Sequence, residues 1–269
     1  MDRPIDSPII TLTTDWGTKD FFAGMVKGRL LSMVPNARIV DITLELEPHN
    51  IPMATFVVRN GCLHFPAGTI HIIDINSVET AQQAFVVVEH NEQFFICTDN
   101  GLPYAVFGKE CNRVVRLDVM QDSDYYNFAA YNLFCQVASM LAHGTPLEEL
   151  GTMVSTLRPS TPLNYVDQGS RLIAHIAYID SYGNAYLDVT HAEFERVRAG
   201  RPFTMQMSDH TRDGLSRIAS SYDDSGSLAS AVLTVSATGL LEIAINHNSA
   251  EQLLGLHPFD HMIFNFQER

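Results

Sequence analysis

The sequence predicts an α/β domain with a mainly parallel sheet, followed by a smaller C-terminal domain built as an antiparallel β-barrel. Three observations carry that expectation. From residue 8 to about 150, short apolar runs alternate with stretches of helical apolar spacing, the pattern of strands covered on both faces by helices. Beyond about residue 169 the apolar runs are shorter, closer together and separated by turn residues, as in a small antiparallel barrel or sandwich. Between them, residues 151–169 ("GTMVSTLRPSTPLNYVDQG") lose periodicity and carry two prolines with several Ser and Thr, which marks a boundary. The expected division is 1–155 for a nucleoside-binding α/β domain, 156–168 for a linker and 169–269 for the barrel.

Element by element, "PIITLTT" reads as the first strand. A helix follows over 19–34, with Phe22, Met25, Val26, Leu30 and Met33 on one face. "ARIVDI" is a second strand, with a helix around 50–63, and "GTIHIID" a third that ends in Asp74. "AFVVVEH" and "QFFICTD" form a hairpin-like pair about Asn91. "RVVRLD" adds a strand, and Leu133, Phe134, Val137, Ala138 and Leu141 mark a helix that stops at Gly144. In the second half "RLIAHIAYID", "NAYLDV", "FTMQMS", "SAVLTVS", "LLEIAI" and "HMIFNF" are strands. Short helices are expected at 190–197 and 248–254, the latter opened by the capping arrangement Asn248-Ser249-Ala250-Glu251.

Bulk properties narrow the function. The chain has 269 residues, 46% hydrophobic and 18% charged, enough for a substantial core and far from a disordered composition. Its net charge is −14, with the basic residues scattered. That argues against nucleic acid and anionic membrane as partners, since both demand a concentrated positive surface. The longest apolar runs are of the length of "AFVVV", and "MDRPIDSPII" lacks the features of a secretory signal. The expected location is therefore cytoplasmic. Cys62, Cys97, Cys111 and Cys135 contain no C-x-x-C pair and read as buried free thiols. His257 and His261 are four apart, but Pro258 lies between them and H-E-x-x-H is absent, so no metal is expected.

In parallel α/β sheets ligands bind at the carboxyl ends of the strands. Asp15, Asp41, Asp74 and Asp99 each stand at or near such an end. For any one of them the alternative is a helix cap or a turn. Asp15 is the most exposed to the question, because it follows an apolar strand directly and precedes Trp16 and Gly17. Asp180-Ser181-Tyr182-Gly183-Asn184 likewise suits a β-turn, and His71, inside a strand, suits a satisfied core histidine.

Seven stretches, in order, carry a resemblance: "TTDWGTKDFFAGMVKG", "VDITLELEPHNI", "FPAGTIHIIDINSVET", "CTDNGLPYAVFG", "HGTPLEELG", "IDSYGNAYLDV" and "GLLEIAINHNSAEQLLGL". Together they resemble the family of S-adenosylmethionine hydrolases (hydroxide adenosyltransferases), relatives of the fluorinases and chlorinases. The likeness runs from about residue 9 to 266. It implies an N-terminal α/β domain, a C-terminal β-barrel and in-line displacement of methionine from the ribose 5′ carbon of S-adenosylmethionine. It further implies a nucleoside ligand, no cofactor, and a homotrimer whose sites lie between subunits. By the same resemblance Asp15 would clasp the ribose hydroxyls, Asp180 would pair with the methionine ammonium and Asn184 would read the adenine. Asn246 and His247 would approach the adenine edge, and Trp16 and His49 belong to the same substrate-binding set.

The reacting half of the site departs from the family. Its hydrolases carry "DPGVGTxRR" and "FHGRD", whose Asp, Arg and His are proposed to handle the attacking water. Here the segments read "DINSVETAQQ" and "FAAYNLF". Asp74 is kept, Ala81 stands at the arginine, with Gln82 and Gln83 beside it, and Ala129 at the histidine. The fluorinase Tyr-Ser falls on Ala129-Ala130, while Ser77 aligns near the halide side. Asp74 and Ser77 are the expected reacting-side residues, with Tyr125, Tyr126 and Tyr131 as alternative water-orienting groups. Three outcomes fit: a hydrolase, a non-catalytic binder, and adenosyl transfer to a halide or other nucleophile.

Overall fold

The computed structural model describes residues 7–78, 80, 83–108, 111, 113–120, 127–161, 163–207, 214–225 and 231–267. The chain separates into two compact units, Met1–Thr161 and Pro162–Arg269.

The first unit contains β1 (Ile9–Thr14), α1 (Phe22–Met33), β2 (Arg38–Thr43), α2 (Ile51–Gly61), β3 (Ile70–Asp74), β4 (Phe85–His90), β5 (Gln93–Thr98), α3 (Leu102–Phe107), β6 (Arg113–Leu117), α4 (Cys135–Ala142) and β7 (Gly151–Val154). Its seven strands are ordered β2-β1-β3-β5-β4-β6-β7. The neighbours among β2, β1, β3 and β5 pair in parallel, whereas β4 with β5, β4 with β6 and β6 with β7 are antiparallel. The sheet is therefore mixed, which corrects the expectation of a mainly parallel one. The apolar continuity of β3, β4 and β5 reports burial on both faces and carries no information on direction. Direction is set by connections. Asn91 and Glu92, at φ 51° and 58°, turn β4 straight back into β5.

Alternation along the strands divides the buried side chains between two layers. Ile10, Leu12, Ile70, Ile72 and Ile96 pack with Val26 and Leu30 of α1 and Phe134, Val137 and Leu141 near α4. On the other face Ile73, Val86, Val88 and Phe95 pack with Val58 of α2 and Val106 of α3. Helix α2 is started by the Asn50 side chain, which accepts from the Met53 amide, and by a proline in the first turn. Helix α4 is preceded by a π-type turn over Ala130–Phe134, in which the Cys135 amide donates to the Ala130 carbonyl. Leu157 closes the first unit's core.

The second unit contains β8 (Val166–Asp167), β9 (Arg171–Ile179), β10 (Ala185–Thr190), α5 (His191–Arg198), β11 (Phe203–Met207), β12 (Ala231–Val235), β13 (Leu240–Ile245), α6 (Ala250–Leu254) and β14 (His261–Phe266). The order β11-β14-β9-β10-β13-β12 is antiparallel throughout, with β8 added to β9. This sheet curls into a half-barrel and does not close, correcting the expected barrel. Among the described residues, isolated bridges link Met205 to Leu215 and Ile218 to Leu233 near the open edges. The inner face holds Leu172, Ala174, Ile176, Leu187, Met205 and Phe264 around Phe194 of α5. A capping box in which Thr190 and Glu193 bond each other's backbone starts α5. Among the described residues no helix is long and apolar enough to cross a membrane.

Candidate active site

Strand β1 ends in buried Thr14, and the chain turns at Asp15-Trp16-Gly17. Gly17 takes φ 75° and donates its amide to the Leu44 carbonyl at 2.6 Å, a left-handed turn that favours glycine. The turn is further pinned where the Leu46 amide donates to the Thr14 carbonyl. Asp15 is then held over the segment before α2. Its Oδ2 accepts from the amide of His49, itself at φ 64°, at 3.0 Å. Trp16 turns inward, lies edge-on to Phe128 with centroids 5.2 Å apart, and donates Nε1–H to Asp74 Oδ2 at 2.8 Å.

Asp74 therefore stands beside this turn. It is only 6% exposed at the end of β3. Burial pushes its carboxyl up to about 6; the nearby Ser77 hydroxyl and Trp16 N–H pull it back down, and the Asp15 charge adds to the rise. A carboxylate poised there exchanges a proton near neutral pH. Ser77 stands beside that carboxyl with its hydroxyl buried. Ala129 and Ala130 are both buried in the apolar layer below this end of the sheet. The first unit thus brings together Asp15, Trp16, His49, Asp74 and Ser77. Ala81, Gln82, Tyr125 and Tyr126 lie outside the described residues. Tyr131 packs under the Arg29 guanidinium at 4.5 Å.

The second unit assembles the other predicted residues. Asp180 organises its own turn. Its Oδ1 accepts from the amides of Tyr182 and Asn184, both at 2.9 Å, and its Oδ2 from Asn184 Nδ2 at 3.2 Å and the Tyr186 hydroxyl at 3.1 Å. Asn184 is held by the same carboxylate. Gly183, at φ 80°, lets this turn sit directly on the start of α6, for a Cβ there would lie 2.0 Å from Ser249 Oγ. The Glu251 amide donates to the Gly183 carbonyl at 2.9 Å, while Ser249 caps α6 by accepting from the Gln252 amide. Asn246 and His247 follow β13 immediately before that cap, His247 at φ 57°. The side chain of Asn246 donates to Asp223.

One acidic group beside this turn was not singled out in the sequence. Glu242 is 1% exposed and accepts from the Tyr222 hydroxyl at 3.0 Å. Burial raises its pKa, as it does for Tyr186 and Tyr222, with the neighbouring acidic charges adding to the rise in the two tyrosines. Glu242 alternates along β13 like any strand residue, and only its pairing with Tyr186 across the sheet brings it to Asp180.

Other candidates resolve as structural. Asp41 pairs with Lys27 at 2.6 Å. Asp99 receives the Arg158 amide at 2.9 and 3.0 Å. His71 is fully buried, bonded to Thr11 and Gln93 and stacked on Phe95 at 4.4 Å; burial lowers it to about 4. All four cysteines are free, with Cys111 partly exposed. No group of three His, Cys, Asp or Glu among the described residues is placed to hold a metal. A cavity of about 630 Å³ lined by Tyr104, Cys111, Arg113 and Met153 contains none of the predicted catalytic or substrate-binding residues.

Residues 10–151 match the SAM hydroxide adenosyltransferase N-terminal domain and residues 174–263 the corresponding C-terminal domain. The chain is 24% identical to an (R)-S-adenosyl-L-methionine hydrolase of Methanocaldococcus jannaschii, covering 94% of each protein. A hydrolase of the same name from Salinispora arenicola is 27% identical, over 95% of this chain and 97% of that one. A fluorinase of Nocardia brasiliensis is 22% identical over 89% of this chain and 90% of its own. The fold superposes on a conserved protein from Thermotoga maritima with a TM-score of 0.85 at 25% identity, covering 96% of this chain and 99% of that one.

Proposed function

The chain belongs to the SAM hydroxide adenosyltransferase family through both of its domains, and from that premise we propose that it hydrolyses S-adenosylmethionine to adenosine and methionine. The observation that carries the reading is Asp74: a buried carboxylate at a strand's carboxyl end, bonded by Trp16 and paired in register with Thr14, the residue before Asp15. Water attacks the ribose 5′ carbon in line with the C–S bond. A C–O bond forms as the C–S bond breaks, the electron pair leaves with the neutral methionine thioether, and the water proton passes to Asp74. Positive charge disappears in the step, so a dry pocket that removes solvent from sulfonium and nucleophile favours it.

Binding falls to the remaining residues. Asp15, tied through Oδ2 to the His49 amide, is suited to grip the ribose diol by charge-assisted bonds. Trp16 contributes an apolar face, and His49 fixes Asp15 from behind. Asp180 and Asn184 form the amino-acid and adenine end, with Asn246 and His247 beside them. A ligand of this length needs both sets, and a homotrimer with sites between subunits is the assembly we propose. The free thiols agree with a cytoplasmic setting.

Incubation of the purified protein with S-adenosylmethionine should release adenosine and methionine in equal amounts. Absence of adenosine and of any halo-adenosine, at every halide concentration, refutes the proposal. One observation favours a second reading: the apolar Ala129 and Ala130 give no proton-handling group at that wall. Calorimetric binding without product would establish that reading, a ligand-binding protein, in place of the first.

A further inference from the structure

We propose that Trp16 and Phe128 are positioning residues for Asp74: the Phe128 ring fixes the Trp16 indole, and the indole holds the carboxylate as the base that takes the proton of the attacking water. The role as base rests on the hydrolase reading above; the clamp on the carboxylate does not.

Three contacts carry it, all inside the first unit. Trp16 donates Nε1–H to Asp74 Oδ2 at 2.8 Å. Its ring meets Phe128 edge-on, with 5.2 Å between centroids and 71° between planes. Phe128 in turn meets Phe22 edge-on, at 5.2 Å and 67°. Both pairs have the separation and tilt at which one ring's edge attracts another's face. Phe22 is the first residue of α1. Phe128 lies just before the Ala130–Phe134 turn, and its carbonyl accepts from the Asn132 amide at 3.0 Å. Through Phe128 the indole is therefore tied to the starts of two helical segments. Val26 and Leu30 of the one, and Phe134 and Val137 of the other, are packed into the apolar layer on the sheet. Rings seated against such a close-packed layer keep one arrangement.

The clamp acts on protonation as well as on direction. An indole N–H only donates, and an ionised carboxylate only accepts. The bond therefore favours the charged form of Asp74, the form able to receive a proton, against the burial that disfavours it. It also restrains rotation of the carboxylate. Ala129 and Ala130, next in the chain after Phe128, carry no polar side-chain atom, so this segment acts on Asp74 through the Phe128 ring and the indole beyond it. In the step itself a C–O bond forms, the C–S electron pair leaves on sulfur, and Asp74 receives the water proton. Trp16 and Phe128 exchange no atom with the substrate.

Trp16 is the one tryptophan of the chain, which makes the clamp observable without turnover. Its indole N–H resonance should titrate with Asp74, at a midpoint of about 6, and Asp74→Asn should abolish that titration. Phe128→Leu should move the midpoint and the acid limb of kcat up together, by less than the roughly one pH unit expected of the limb when Trp16→Phe removes the bond outright. Phe22→Leu, which loosens Phe128 from its far side, should move both the same way by a smaller step, and Phe128→Tyr, which keeps the ring edge, should leave both at wild type. With Trp16→Phe and Phe128→Leu combined, the limb should lie where Trp16→Phe alone puts it, since Phe128 acts only through the indole. An indole signal that follows Asp74 and shifts in Phe128→Leu, in a protein that releases no adenosine, upholds the clamp and refutes the hydrolase reading alone. An indole signal indifferent to pH, a midpoint or limb unmoved in both leucine variants, or additive shifts in the double variant overturns the inference, while release of adenosine leaves the hydrolase reading intact.

Discussion

Replacing Asp74 by asparagine should make the protein more stable at neutral pH while removing most of its activity. Burial raises the Asp74 carboxyl from 3.8 to about 6, a difference of about two pH units, or about 3 kcal/mol. The sign follows from linkage. Between those two values the folded state holds the proton and the unfolded state does not, so stability falls as pH rises through the window. Above pH 6 the full penalty is present. Asparagine carries no charge to bury and still accepts from Trp16, so Asp74→Asn should gain about 2–3 kcal/mol at pH 8 and almost nothing at pH 4. His71 works the other way. Its burial lowers it to about 4, so it costs about 3 kcal/mol as pH drops from 6.5 toward 4. In the wild type the two nearly offset, and the pH profile of the intact protein conceals both. Urea unfolding of wild type and Asp74→Asn at pH 4.5, 6 and 8 separates them. The variant should show an uncompensated loss on acidification, and its hydrolysis rate at pH 8 should drop by about 10²–10⁴. Equal or lower stability of the variant at pH 8 refutes the burial argument.

Three further outcomes are expected. Trp16→Phe keeps the aromatic contact with Phe128 but loses the N–H that lowers Asp74, so the acid limb of the rate profile should move to higher pH; an unmoved limb shows that the indole bond does not reach the reaction. Asp15→Ala should weaken adenosine binding by about 1.5–3 kcal/mol, the scale of a bond to a charged group, read by calorimetry; unchanged affinity rules out the ribose role. Gly183→Ala forces a Cβ into Ser249 at a left-handed position, and should cost at least about 1 kcal/mol in stability and weaken ligand binding; a variant with wild-type melting and affinity contradicts the link between the 180–184 turn and α6.

Local chemistry was legible where it was self-contained. The strand and helix periods of 9–14, 22–33, 51–61 and 70–74 stand where the apolar spacing puts them. The Ser249 cap is likewise readable from four consecutive residues. Pairing was not legible, because it is decided by segments far apart. The antiparallel edge of β4, β6 and β7 has the same apolar pattern as the parallel strands, and β7, four residues beside a proline-rich stretch, carries little period of its own. Closure of the second sheet depends on whether β11 meets β12, which neither strand's composition reveals. The same logic applies to the site. Asp15 and Asp74 stand out because a charge ends an apolar strand, whereas Glu242 looks like an ordinary strand residue. Only the register of β10 with β13, which sets Glu242 beside Tyr186, brings it to Asp180.

Turnover in water enriched with oxygen-18 tests the central claim most directly. If solvent water attacks the ribose carbon, mass spectrometry will find one heavy oxygen in the ribose fragment of adenosine and none in methionine. Adenosine that carries no label, label in the methionine, or no adenosine at all contradicts the account.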